Sequence, residues 1–208
     1  MSTALAMIAK APVPGRVKTR LTPPCTPDEA AALAEASLSD TLAAMRAVTA
    51  AARLAIVLDG APGPWLGDGV EVLPQRGGGL DERLANAFAD LRGPALIVGM
   101  DTPQVTAALL DAALAGLTEH DAVLGAADDG GYWCIGLRVA DPRALLGVPM
   151  SVQSTGAAQR ERLAALGLSV AEVGALRDVD DIDGARAVAA AAPATRFARC
   201  LDGLRVAA

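Results

Sequence analysis

Residues Ala95–Pro103, ALIVGMDTP, are the stretch on which the reading of this chain turns. Five consecutive apolar residues end abruptly in a polar turn carrying Asp101. Apolar side chains at every position, rather than at alternate ones, predict a strand covered on both faces, as in a parallel sheet. Ligands of open parallel sheets lie beyond the carboxyl ends of the strands, so Asp101 stands where a functional carboxylate belongs. Its ordinary alternative is a helix cap ahead of Pro103.

Outward from this strand the chain alternates between strand-like and helix-like segments. On the amino-terminal side, Leu80–Leu91 keeps Leu80, Leu84, Ala87, Phe88 and Leu91 at helical spacing. Short β-type runs occur at Val70–Leu73 and Leu54–Leu58. Thr26-Pro27-Asp28-Glu29 has the form of a capping box with proline at the first helical position, and predicts a helix reaching about Ala51. On the carboxyl-terminal side the pattern predicts a helix over Val105–Leu117 and strands over Ala122–Gly125 and Tyr132–Leu137. A helix near Gly156–Leu166, a strand near Leu168–Val173 and helices after Asp181 complete the series. This is an α/β pattern: a Rossmann-like three-layer α/β/α arrangement with a mostly parallel central sheet. No repeat or linker divides residues 1–208, which predicts one domain.

Composition narrows the function. The formal charge of -6 argues against nucleic acid as a partner, because its recognition generally needs a basic face. Apolar residues make up 52% of the chain but aromatics only 2%, so aliphatic side chains fill the core. No run of about 18 uncharged apolar residues occurs, and the chain does not open on a signal-peptide pattern, which predicts a cytoplasmic protein with no membrane partner. Cys25, Cys134 and Cys200 are odd in number and lack C-x-x-C spacing, so neither a disulfide framework nor a zinc site is expected. His120 is the single histidine, which discounts a Ser-His-Asp mechanism and a polyhistidine metal site.

Against this acidic balance, the first 27 residues contain no Asp or Glu, while Lys10, Arg16, Lys18 and Arg20 cluster around a loop broken by Pro12, Pro14 and Gly15. Such a concentration suits a phosphate-bearing ligand. The spacing is not that of a Walker A loop, and no G-x-G-x-x-G follows the first strand, so the phosphates would be held by side chains. Gly77, Gly78 and Gly79 allow a close backbone approach to a ligand, or simply a turn. Asp180 in the acidic run Asp178–Asp183 is the best partner for Asp101; two carboxylates together with phosphate oxygens suit Mg2+ or Mn2+. Asp181 is expected to cap the following helix.

Four segments together carry a resemblance: AKAPVPGRVKTRL at 9–21, GMDTP at 99–103, ADDGGYWCIGL at 127–137 and DVDDID at 178–183. Their order and spacing resemble a bacterial family of nucleotide-diphospho-sugar-transferase-like proteins of GT-A fold. Some of these are linked by name to arsenosugar or selenium-related clusters, and they are related to compact guanylyltransferases of cofactor assembly. The resemblance implies a nucleotide site around Ala9, Lys10, Gly15, Arg16, Lys18, Arg20, Gly78 and Gly79, with Lys18 and Arg20 on phosphates. It also implies Asp101 and Asp180 as metal ligands and Asp129, Gly130, Gly131 and Tyr132 facing an acceptor; were the reaction glycosyl transfer, Asp129 or Asp128 is the general-base candidate beside that turn. Gly99 stands where a full D-x-D would have its first acid.

Three activities are compatible with these residues. Nucleotidyl transfer from a nucleoside triphosphate to a phosphorylated small molecule is slightly favoured by the cation count. Transfer of a sugar from a nucleoside diphosphate sugar is the second, and nucleotide binding without catalysis the third.

Overall fold

The computed structural model describes residues 3–50 and 53–204. Among these, seven strands form one sheet: β1 Ala4–Lys10, β2 Arg53–Asp59, β3 Glu71–Pro74, β4 Ala95–Gly99, β5 Ala122–Ala127, β6 Tyr132–Leu137 and β7 Val170–Leu176. The helices are α1 Pro27–Arg46, α2 Leu80–Leu91, α3 Ala107–Glu119, α4 Thr155–Ala165, α5 Ile182–Ala191 and α6 Arg196–Gly203. The strand order is β3-β2-β1-β4-β6-β5-β7, which makes β4, the run ALIVG, the middle strand. Every neighbouring pair is parallel except those of β6, which runs antiparallel to both β4 and β5.

The strands divide their side chains between two cores. Leu5 and Met7 of β1, with Leu96 and Val98 of β4, pack against Leu38 and Leu42 of α1 and Leu110 and Leu114 of α3. Ala4 and Ala6, with Ala95 and Ile97, face Leu84, Phe88 and Leu91 of α2 and Leu163 of α4. Both faces of the sheet are thereby covered, and the expected three-layer α/β/α architecture is present. Each large aliphatic or aromatic side chain buried in this way contributes on the order of 1.5–3 kcal/mol. A third cluster joins Leu21 and Leu33 to Val188 of α5 and Phe197 of α6, seating the two last helices on the start of α1.

The capping box is formed: the Glu29 amide donates to Thr26 Oγ1 at 3.2 Å, and the Thr26 amide donates to Glu29 Oε2 at 2.7 Å. Helix α1 is shorter than expected, however, and ends at Arg46. The Asp111 carboxylate on α3 accepts from the amides of Thr49 and Ala50, both at 3.0 Å, and turns the chain out of the helix. Ala51 itself lies outside the described residues. Leu80 also departs from expectation: it is 39% exposed, whereas the other four apolar positions of α2 are buried. Helix α3 starts after Thr106, whose hydroxyl accepts from the Leu109 amide at 3.3 Å, so Asp101 is not its cap. Among the described residues no helix is long and apolar enough to cross a membrane.

Candidate active site

Six strands end, and β6 begins, at one rim of the sheet. The loops there enclose two adjoining cavities of about 620 Å³ and about 430 Å³. Arg20, Asp101, Tyr132, Ser151 and Asp180 line both. Ala9, Lys10, Arg16, Lys18 and Gly78 line only the larger cavity; Asp129, Gly131 and Asp178 line only the smaller. Cations and carboxylates from the two ends of the chain therefore meet in one cleft.

Three loops are tied together at its centre. Lys18 has a left-handed backbone (φ 49) and a side chain only 6% exposed. Its Nζ lies 2.5 Å from Asp101 Oδ1 and also donates to the Val179 carbonyl. Arg20 Nη1 lies 2.6 Å from Asp180 Oδ2, and the Val179 amide donates to the Asp101 carbonyl at 2.9 Å. Lys18 is thus a tie between turns, with its charge already met by Asp101. Lys10 belongs to β1 rather than to the loop. Among the described residues neither Lys10 nor Arg16 forms an ion pair, so these two carry the charge left available to a ligand.

The glycines divide by role. Gly78 lines the larger cavity, but its amide donates to Glu82 Oε2 at 2.8 Å. Gly79 is the N-cap of α2, and Gly15 supplies a turn at φ 73; neither lines the two cavities. Gly130 has φ 90, and a Cβ there would sit 2.1 Å from the Gln153 carbonyl oxygen. It shapes the β5–β6 turn and lines neither cavity, whereas Gly131 does face the smaller one. Tyr132 presents its ring, since its hydroxyl turns toward Gln159 Oε1 at 3.4 Å; burial, and then the charge of Asp81, pushes its phenol pKa well up.

Asp129, Asp178 and Asp180 each offer an oxygen within 4.8 Å of the others. Burial, reinforced by Asp129, Asp180 and more weakly by Asp101, raises the Asp178 carboxyl to about 6. An all-oxygen, carboxylate-rich set of this kind fits a hard divalent cation such as Mg2+ or Mn2+. Asp101 lies outside this group and is held by Lys18, while Asp178 had no assigned role in the sequence reading. Asp181 caps α5 through the Gly184 amide at 2.8 Å, as expected. Asp128 pairs with Arg177 at 3.3 Å, and Asp129 accepts from the Gly131 amide at 2.7 Å.

Two further residues of the larger cavity, Gln75 and Arg83, escaped sequence reasoning. Gln75 Nε2 donates to the carbonyls of Ala9 at 2.7 Å and Val57 at 3.1 Å, while Arg83 bonds Gln75 Oε1 at 3.0 Å and Asp59 at 3.1 Å. The position of Gln75 directly after β3 was the available signal, by the same rim argument that singled out Asp101.

The profile of the family described as "Uncharacterized protein conserved in bacteria (DUF2064)" matches residues 30–152. The chain belongs to this family. No curated protein matches the sequence. Among solved structures, the DUF2064 chain superposes on a protein of Desulfovibrio desulfuricans G20, described as a candidate nucleotide-diphospho-sugar transferase. The TM-score is 0.87 at 26% identity, over 97% of this chain and 95% of that one. CMP:2-keto-3-deoxy-manno-octonic acid synthetase, solved with CTP, follows with TM-score 0.61 and 12% identity, over 93% and 99% of the two chains. A Mycobacterium tuberculosis H37Rv protein solved with manganese gives TM-score 0.54 and 20% identity, over 90% and 98%. The last two likenesses are of fold alone, and together the three bear out the nucleotide-diphospho-sugar-transferase-like architecture.

Proposed function

We propose that this protein is a metal-dependent transferase acting on a nucleotide donor, and that it catalyses nucleotidyl transfer from a nucleoside triphosphate to a small molecule. One observation carries the proposal: a cavity of about 620 Å³ is lined both by Lys10 and Arg16, which form no ion pair among the described residues, and by Asp180. The shared fold of the CTP-bound synthetase supports the choice of donor. Lys10 and Arg16 hold the outer phosphates, where dispersed negative charge needs several donors. Arg20, 69% exposed, is free to swing from Asp180 to a phosphate as the donor enters.

Asp180 and Asp178 are the proposed ligands of Mg2+ or Mn2+, with Asp101 fixed beside them by Lys18. A divalent cation bound there would supply charge neutralisation at the departing phosphate. Asp129, at the edge of the smaller cavity, takes the proton of the attacking hydroxyl. The buried Lys18 holds the turns in register, so that positioning and fixed charges lower the barrier.

The description of the Desulfovibrio structure favours a second reading, transfer of a sugar from a nucleoside diphosphate sugar, by the same residues. The two differ in what is released. Incubation with each nucleoside triphosphate, Mg2+ and acceptors should release pyrophosphate; nucleoside diphosphate released only from nucleotide sugars would replace the first reading by the second. Nucleotide bound with neither product formed would leave a binding protein.

A further inference from the structure

The smaller cavity is the place for the acceptor, and its chemistry says which acceptors it takes. We propose that it receives a hydroxyl-bearing small molecule without anionic groups, a neutral polyol or sugar, rather than the phosphorylated acceptor named in the sequence expectation. The inference rests on the transferase reading above.

Asp101, Asp129, Asp178 and Asp180 line this cavity, and Arg20 is its one cationic lining residue. Every positive charge at the boundary is already met. Lys18 has Asp101, and Arg20 has Asp180 or, after donor entry, a phosphate. A divalent cation on Asp178 and Asp180 would be shared with the donor phosphates. Of the two cavities, Lys10 and Arg16 line the larger and not the smaller. No cation is left over for a phosphate or carboxylate on the acceptor, which would face Asp129 and the donor phosphates unscreened. Juxtaposed like charges of this kind weaken binding by about 100-fold or more.

Thr102 supplies an independent observation. It is 2% exposed and lines this cavity, and its hydroxyl, shut off from solvent, has no hydrogen-bond partner among the described residues. Buried hydroxyls are normally partnered, and a small shift of the wall would let a ligand hydroxyl complete this one. The remaining wall is amphipathic in the manner of a sugar: Tyr132, Met150 and the 49% exposed Val152 offer apolar surface, and Gln153 and Ser151 offer neutral polar groups. In the reaction, the acceptor oxygen forms a bond to the reacting centre of the donor as its own proton passes to Asp129. The bond from that centre to the departing phosphate oxygen breaks, and the electron pair leaves with the phosphate.

The test uses the intact protein with Mn2+ and saturating nucleotide. Glycerol, glucose, mannose and inositol are compared with glycerol 3-phosphate, glucose 6-phosphate and mannose 6-phosphate, by calorimetry and by release of pyrophosphate or nucleoside diphosphate. At least one neutral member should engage with a kcat/KM, or an affinity where turnover is absent, about 100-fold above its phosphorylated counterpart. Val152→Lys, which places a cation on the exposed wall, should narrow that gap by about 10-fold while nucleotide affinity stays unchanged. Equal or better use of the phosphorylated members overturns the inference, and so does failure of every neutral member to engage. Nucleotide affinity, read separately, tells this failure from that of the parent reading: without nucleotide binding, the transferase assignment itself falls.

Discussion

Asp121 and Asp178 lie at opposite ends of the same half of the sheet, and their surroundings are opposite too. Asp121, just before β5, accepts from Arg138 and from the Ser169 amide at 3.0 Å and hydroxyl at 2.7 Å, which together hold its carboxyl far below the usual range. Asp178, just after β7, is half-buried among Asp129, Asp180 and Asp101, and its carboxyl rises to about 6. One acid has all its needs met by the fold; the other is left with repulsion that a proton or a bound cation relieves. Charge held in such discomfort marks a working rim, and charge fully answered marks a structural seam.

Substitution at the two ends should therefore fail in different ways. Replacing Asp180 by Ala, the largest effect expected, should lower metal-dependent turnover by about 1000-fold and leave the melting temperature within a few degrees. Asp121→Ala should do the reverse, lowering the melting temperature with turnover intact in the cold; a catalytic loss there would break the contrast. Next comes Gly130→Ala. Its Cβ would meet the Gln153 oxygen at 2.1 Å from a φ of 90, so calorimetry should show a loss of about 2–3 kcal/mol. Arg16→Ala should weaken triphosphate binding by about 10-fold in titration calorimetry, and less at high salt.

The smallest effect is the sharpest discriminator, because its sign is set in advance. The folded chain binds a proton at Asp178 more readily than the unfolded chain does, so metal-free stability falls as pH rises from about 4 through about 6. With screening at this partly exposed group, Asp178→Asn should be about 1 kcal/mol more stable than the parent at pH 7.5 and equal to it near pH 4. Asp121 has the opposite slope: its contribution is complete above the ordinary carboxylate pKa and is lost as pH falls. Chemical denaturation of Asp178→Asn and of Asp121→Asn across pH 3–8 would measure both slopes, and parallel slopes would refute the distinction.

Much of the frame was legible because local chemistry decided it. Thr26 to Glu29 carry their cap in four residues, and ALIVG needs both faces covered wherever it lies. The convergence of Arg20 with Asp180 followed from the rule that ligands gather at strand ends. What was not legible depends on partners remote in the chain. The reversed direction of β6 leaves no mark on YWCIGL, since a strand buried on both faces has the same apolar run either way. Asp111 ends α1 from another helix, and Lys18 spends its charge on Asp101. Asp178 was passed over because burial, not spacing, gives it its character.

The reversed strand β6 has one more consequence. Because it enters the sheet from the working rim, the four-residue turn Asp128–Gly131 is delivered there as a rigid hairpin tip, with the Gly156 amide bound to the Gly130 carbonyl at 2.8 Å. The proposed proton acceptor Asp129 thus sits on sheet framework, whereas Met150 to Gln153, the wall facing it, belong to a connecting segment outside any strand. Descendants of this chain could trade one small molecule for another by altering that wall alone, with the reacting machinery untouched.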